Sequence, residues 1–204
     1  MKKLLFTLVA LPLSMSVMAQ KLDLGIGGGY AKNAKPSFAT SKDKAASSPI
    51  LYAQASLKLI GFQVGLRGEY TKFMFKGDKG AYTGTPATGQ YVDVMFGERV
   101  MNIRAFVNKT FAIPKVEPYV GINAGYSSAG SEAGKISNDK YGLGDLSGFT
   151  AGGQVGLTVF IMGKWGLNGQ LGFDYYRLNN ASATSSSGHL LSPNVTLGLR
   201  YRVL

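Results

Sequence analysis

The chain is predicted to be all-β: an eight-stranded antiparallel up-and-down transmembrane β-barrel behind a cleavable signal peptide. Three observations predict it. Segments of about ten residues alternate large apolar side chains with small or polar ones, aromatic residues bracket those segments, and the connections alternate between short and long. The clearest segment places Trp165, Leu167, Leu171, Phe173 and Tyr175 on one parity and Gly166, Asn168, Gln170, Gly172 and Asp174 on the other. Composition agrees, since 28 glycines and 11 tyrosines suit closely paired strands and would weaken helices.

The N-terminus carries an export signal. Lys2 and Lys3 precede an apolar stretch from Leu4 to Met18, and Val17-Met18-Ala19 is a small-x-small cleavage motif before Gln20. The stretch is short for a membrane span and lacks flanking stop-transfer charges. Residues 1–19 are therefore expected to be removed, leaving 20–204 as one outer-membrane barrel domain. Removal of the two lysines lowers the formal charge from +11 to +9. The remaining basic residues are scattered and no recognised nucleic-acid motif occurs, so no nucleic-acid partner is expected. Cysteine is absent, which excludes lipoprotein acylation, disulfides and thiolate metal sites.

The first strand is expected from Leu22 to Ala31, with Leu22, Leu24, Ile26 and Tyr30 outward. The second, Ile50 to Leu59, sets Leu51, Ala53, Ala55, Leu57 and Leu59 against Tyr52, Gln54, Ser56 and Lys58. Ile60-Gly61 makes a tight hairpin to the third, Phe62 to about Lys72, with Phe62, Val64, Leu66 and Tyr70 outward and Gln63, Gly65, Arg67, Glu69 and Thr71 inward. The fourth carries Met101, Ile103, Ala105 and Val107 outward and Asn102, Arg104 and Asn108 inward. Val92, Val94 and Phe96 lie on the opposite parity, which predicts a bulge near Gly97 if Tyr91 to Phe96 belongs to the same strand.

Ala112 to Lys115 turns into the fifth strand, Glu117 to Tyr126. The sixth, Phe149 to Phe160, turns through Met162-Gly163-Lys164 into the seventh at Trp165, and the eighth runs from Asn194 to Val203. The intervening long connections are Lys32 to Ser48, Lys76 to Gly89, Ser127 to Ser147 and Leu178 to Ser192. Short turns on one side and long loops on the other are the sorting of an outer-membrane barrel, with both termini periplasmic. Phe62, Phe111, Phe160, Trp165 and Tyr201 fall at the short-turn ends, and Tyr30, Tyr70, Tyr126 and Tyr175 toward the long-loop ends. They form two expected aromatic girdles. The inward faces read as too polar for a dry core, which argues against a soluble sandwich.

On these patterns, and on segments such as Glu117-Pro-Tyr-Val-Gly-Ile-Asn-Ala-Gly-Tyr126 and Leu197-Gly-Leu-Arg-Tyr-Arg-Val203, the chain resembles the small eight-stranded outer-membrane β-barrel family. That family includes the OmpX/Ail group, the OmpA membrane domain and the Bacteroidetes-type outer membrane β-barrel or porin-family proteins. The resemblance covers the mature chain and implies a Gram-negative outer-membrane location with assembly by the barrel-assembly machinery. Members usually end in an aromatic; here Val203 holds that outward position and Leu204 follows it.

An eight-stranded barrel is just wide enough for its own side chains. The inward charged residues Asp23, Arg67, Glu69, Arg104, Asp174, Arg200 and Arg202 are expected to form a lumen polar network. Glu69 falls near the level of Arg104, and Asp23 near Arg200 and Arg202. Two readings stay open, a polar plug and a narrow gated path for ions or small solutes. Catalysis has little support: the single histidine, His189, lies near Ser185, Ser186 and Ser187, but no third group fixes a base as a nucleophile requires. A lipid-modifying barrel enzyme is the remote alternative. No cofactor or metal is expected. Lys32, Lys35, Lys42 and Lys44 in the first loop and Lys76 and Lys79 in the second suit contact with lipopolysaccharide phosphates. The expected role is structural or surface-interactive, as a monomer in contact with outer-membrane lipids and with host or surface ligands.

Overall fold

The computed structural model describes residues 21–34, 44–78, 90–130, 146–180 and 187–203; for 75, 78, 91–98, 130, 180 and 187 it describes the backbone alone. The expected signal peptide, Lys35, Lys42, Lys79, Ser185, Ser186 and Leu204 lie outside the described residues. Eight strands are present: β1 (Lys21–Asn33), β2 (Lys44–Leu59), β3 (Phe62–Asp78), β4 (Tyr91–Thr110), β5 (Val116–Gly130), β6 (Leu146–Met162), β7 (Trp165–Asn180) and β8 (Ser187–Arg202). Each pairs antiparallel with the next, and β8 returns to β1, closing the barrel. Closure removes every sheet edge along the paired stretch, so no ladder group there is left to aggregate.

The alternation works as the physics of a pleated strand requires. Along β7, Leu167, Leu171 and Phe173 are exposed outward, whereas Asn168, Gln170 and Asp174 are buried inward. The same parity runs through β1, β2, β3, β5 and β8. Two short turns depend on glycine: Gly61 (φ 70°) and Gly163 (φ 52°) sit in the left-handed region that only glycine enters freely. Lys115 adopts φ 65° in the third turn, where the Ile113 and Val116 backbones pair with each other.

The strands overrun their expected boundaries, and almost entirely at the long-loop end. β2 starts at Lys44 instead of Ile50, β3 reaches Asp78, β5 reaches Gly130, and β8 starts at Ser187. The reason is an inversion of polarity. Beyond the level of Tyr30, Tyr70, Tyr126 and Tyr175 the outward positions turn polar, as at Lys32, Ser47, Lys72, Ser128 and Arg177. The inward positions turn apolar at the same place: Ile50, Phe73, Val100, Ala129, Leu146, Leu178 and Leu190 are all buried. Val100, Ala129 and Leu146 stand opposite one another across β4, β5 and β6. The upper barrel mixes this apolar set with a buried polar cluster, in which Asn33 Nδ2 donates to Ser48 at 2.8 Å and Ser192 donates to Asn33 Oδ1 at 2.9 Å. That part has polar side chains outside and a largely apolar core within, the pattern of a soluble barrel.

Irregularity is concentrated in this upper region, with one further register shift between Phe160 and Met162 beside the β6–β7 turn. The β3–β4 register shifts twice, on either side of the Phe73–Gly97 pair, with Tyr91 to Phe96 continuous with the rest of β4. One bulge near Gly97 had been expected; two occur. A further shift lies between Ala45 and Ile50 on β2.

Candidate functional site: the charged lumen and its rims

Inside the barrel, inward parity brings the charged residues together in two groups. In the first, Arg104 Nη2 lies 2.8 Å from Glu69 Oε1, and Arg104 Nη1 lies 2.6 Å from Asp174 Oδ2. Arg67 Nε is 3.3 Å from the other Glu69 oxygen. Asn102 Nδ2 donates to Glu69 at 3.0 Å, and Arg104 Nη2 donates to Tyr176 Oη at 2.7 Å. Arg67 also stacks over Tyr52 at 3.8 Å and donates to Gln170 Oε1 at 3.3 Å. Two guanidinium groups and two carboxylates make this group electrically neutral, the condition under which buried charges are tolerated.

The second group lies toward the short-turn end. Asp23 forms an ion pair with Arg200 at 2.9 Å and accepts a hydrogen bond from Arg202 Nε at 3.0 Å. Arg202 continues to Glu117 at 3.0 Å, and Lys58 reaches the same carboxylate at 2.6 Å. Glu117 and Lys58 were absent from the network expected from sequence. Parity held the signal: Glu117 shares the inward phase of Tyr119 and Asn123, but its place at a strand start hid it.

The lumen is filled by setting large side chains against glycines on the adjacent or the next-but-one strand. A Cβ on Gly198 would come within 2.2 Å of Tyr52 Oη, and one on Gly156 within 2.3 Å of Tyr119 Oη. Small residues facing large ones let a narrow barrel close around its contents. The cavity lined by Arg67, Glu69, Arg104, Gln154 and Asp174 holds about 10 Å³, room for a single water. Above it, Tyr176 joins the polar group to the apolar cap by an edge contact with Phe73, ring centroids 5.0 Å apart.

The aromatic residues mark both rims on the outer surface. Phe62, Trp165 and Tyr201 lie at the short-turn end, with Trp165 and Tyr201 centroids 4.7 Å apart. Tyr30, Tyr126, Tyr70 and Tyr175 lie near the other end. Phe160 departs from its expected place. It faces inward and is buried, because Val159 and Ile161 take the outward phase of β6, and Arg202 sits 4.2 Å over its ring. His189 lies within β8, outside the loop where it was expected, and faces outward, stacked on Tyr175 and hydrogen-bonded to its hydroxyl. The side chains of Ser185 to Ser187 are outside the description.

Between the rims runs a belt of exposed apolar side chains that includes Ile26, Leu51, Leu66, Ile103, Ile122, Leu171 and Leu197. The closed eight-stranded fold matches solved barrels. Neisserial surface protein A (NspA) is 14% identical, with 90% of this chain and 99% of that one aligned and a TM-score of 0.61. This is the fold of the small outer-membrane β-barrels. OprG from Pseudomonas aeruginosa (13% identity, 88% and 95% coverage, TM-score 0.49) and outer membrane protein W of E. coli (19%, 89% and 97%, 0.48) overlay less closely. No protein-family model matches the chain, and neither does any curated protein. In this small outer-membrane barrel fold the described lumen is a packed interior.

Proposed function

We propose that the protein resides in a Gram-negative outer membrane as a closed, non-conducting and non-enzymatic barrel with a structural or surface-interaction role. The observation that carries this reading is the double inversion of polarity. A belt facing outward with apolar side chains has its counterpart only in hydrocarbon, and where that belt ends the barrel acquires a soluble-type core. The upper barrel therefore stands clear of the lipid and offers its outer wall and long loops to the medium.

Lysines and arginines crown that wall. Lys32, Lys72 and Arg177 each follow an outward tyrosine, Tyr30, Tyr70 and Tyr175, by two residues on the same face. Every carboxylate whose side chain is described, Asp23, Glu69, Glu117 and Asp174, faces the lumen instead. Cations just above an aromatic row fit the phosphates of lipopolysaccharide. Planar bilayers reconstituted with the purified protein test the main reading. Background conductance is expected, and discrete, stable channel openings would assign the protein to transport of ions or small solutes.

A further inference from the structure

We infer that the three short turns are membrane anchors: Ile60, Ile113 and Met162 insert at the inner-leaflet headgroup boundary while Lys109, Lys115 and Lys164 engage the phosphates of anionic phospholipid. The inference rests on the outer-membrane residence proposed above. Turns favour glycine, proline, asparagine, aspartate and serine. These turns read Ile60-Gly61, Phe111-Ala-Ile-Pro-Lys115 and Ile161-Met-Gly-Lys164, with none of the last three residue types. Ile60 is 93% exposed, Met162 71%, Ile161 61% and Ile113 54%.

Depth follows from the strands. Trp165 to Tyr175 spans ten steps; at about 3.3 Å each and a tilt of about 40° this is about 25 Å, the height of the apolar band of such barrels. The band ends at Phe62, Trp165 and Tyr201, so Ile60 and Met162 lie only two or three residues past it. Two residues along a tilted strand descend about 5 Å, no more than the headgroup zone is deep. Large aliphatic side chains there replace water contact with the acyl boundary, as in interfacial helices.

Each turn also carries its own ammonium. Lys109 lies over the Phe62 ring at 4.4 Å and beside Gly61, whose carbonyl accepts from the Thr110 amide at 2.9 Å. Lys115 and Lys164 are exposed, and Lys164 Nζ donates to the Val203 carbonyl at 3.0 Å. The exposed part of this rim carries no described carboxylate. An anionic headgroup layer complements such a surface in both chemistry and height.

The chain lacks cysteine, so single spin labels place each turn directly. Ile60→Cys, Ile113→Cys and Met162→Cys would be labelled in the full barrel folded into vesicles of phosphatidylcholine with or without phosphatidylglycerol. Leu171→Cys serves as the hydrocarbon reference and Asn179→Cys as the aqueous one. The turn labels should favour oxygen over a water-soluble nickel chelate as collision partner, with readings between the two references. Lys109→Gln, Lys115→Gln and Lys164→Gln combined should reduce the preference for phosphatidylglycerol by up to about fivefold per lysine. Turn labels that match Asn179 while Leu171 reads as buried in lipid would overturn the inference, as would an undiminished lipid preference in the glutamine variant or immersion that appears only on adding a soluble protein. A Leu171 label in water would instead overturn membrane residence itself.

Discussion

Arg67 and Arg104 stand directly opposite each other on β3 and β4, both inward and both buried. Like charges in directly opposed positions repel. Glu69 makes the arrangement stable. It sits two residues from Arg67 on the same face and diagonal to Arg104, with one carboxylate oxygen toward each guanidinium. Asp174 supplies the second counter-charge to Arg104 from across the lumen.

Glu69→Ala should therefore leave two facing cations with one remaining carboxylate, and destabilise the folded barrel by about 3 to 5 kcal/mol. Glu69→Gln, which keeps an acceptor for Asn102, should fall between. Urea unfolding in lipid vesicles measures both. Conductance should stay at background, since the neighbouring side chains still fill the lumen. A stable, heat-resistant variant with a raised conductance would point to a gate.

Depth within the apolar belt is set by register. Leu171→Arg, outward at mid-strand, should cost about 2 to 4 kcal/mol. Leu191→Arg, paired with Tyr175 at the upper rim, should cost about 1 kcal/mol or less. Equal costs in vesicle unfolding experiments would show that the belt does not lie where the tyrosines place it.

The upper core makes its own prediction. Phe73 is 1% exposed, in a stretch that reads as the approach to a loop. Phe73→Ala should lower stability by about 3 to 5 kcal/mol. Amide exchange should show protection lost first at the upper ends of β3 and β4. An unchanged unfolding midpoint would remove the soluble-type core from the description.

Two glycines should respond in opposite ways to the same methyl group. A Cβ on Gly29 would lie 2.0 Å from the Val195 carbonyl oxygen, whereas one on Gly68 meets nothing within 4 Å. Gly29→Ala is expected to destabilise by about 1 to 3 kcal/mol through overpacking. Gly68→Ala, outward in β3, should be neutral or stabilising by up to about 1 kcal/mol. Thermal shifts in gel mobility rank the two.

The sequence by itself determined the strand count, the up-and-down order, the orientation of nearly every side chain, and most of the charged residues that share the lumen. A period of two leaves no freedom once one face is apolar, because a one-residue slip would reverse every side chain in the strand. The same logic placed Asp23, Glu69 and Arg104 on the inner wall. Tertiary structure decided what periodicity does not encode. Whether a polar outward position ends a strand depends on what surrounds the barrel there, and Lys32, Lys72 and Arg177 are strand residues because Phe73, Val100 and Leu178 form a core behind them. Distances across the lumen link strands far apart in sequence, so the Arg104–Asp174 and Arg202–Glu117 pairs existed only after closure. Phe160 faces inward because it keeps the inward parity of Thr150, Gln154 and Thr158 along β6. Alternation fixes a face; closure fixes the neighbours.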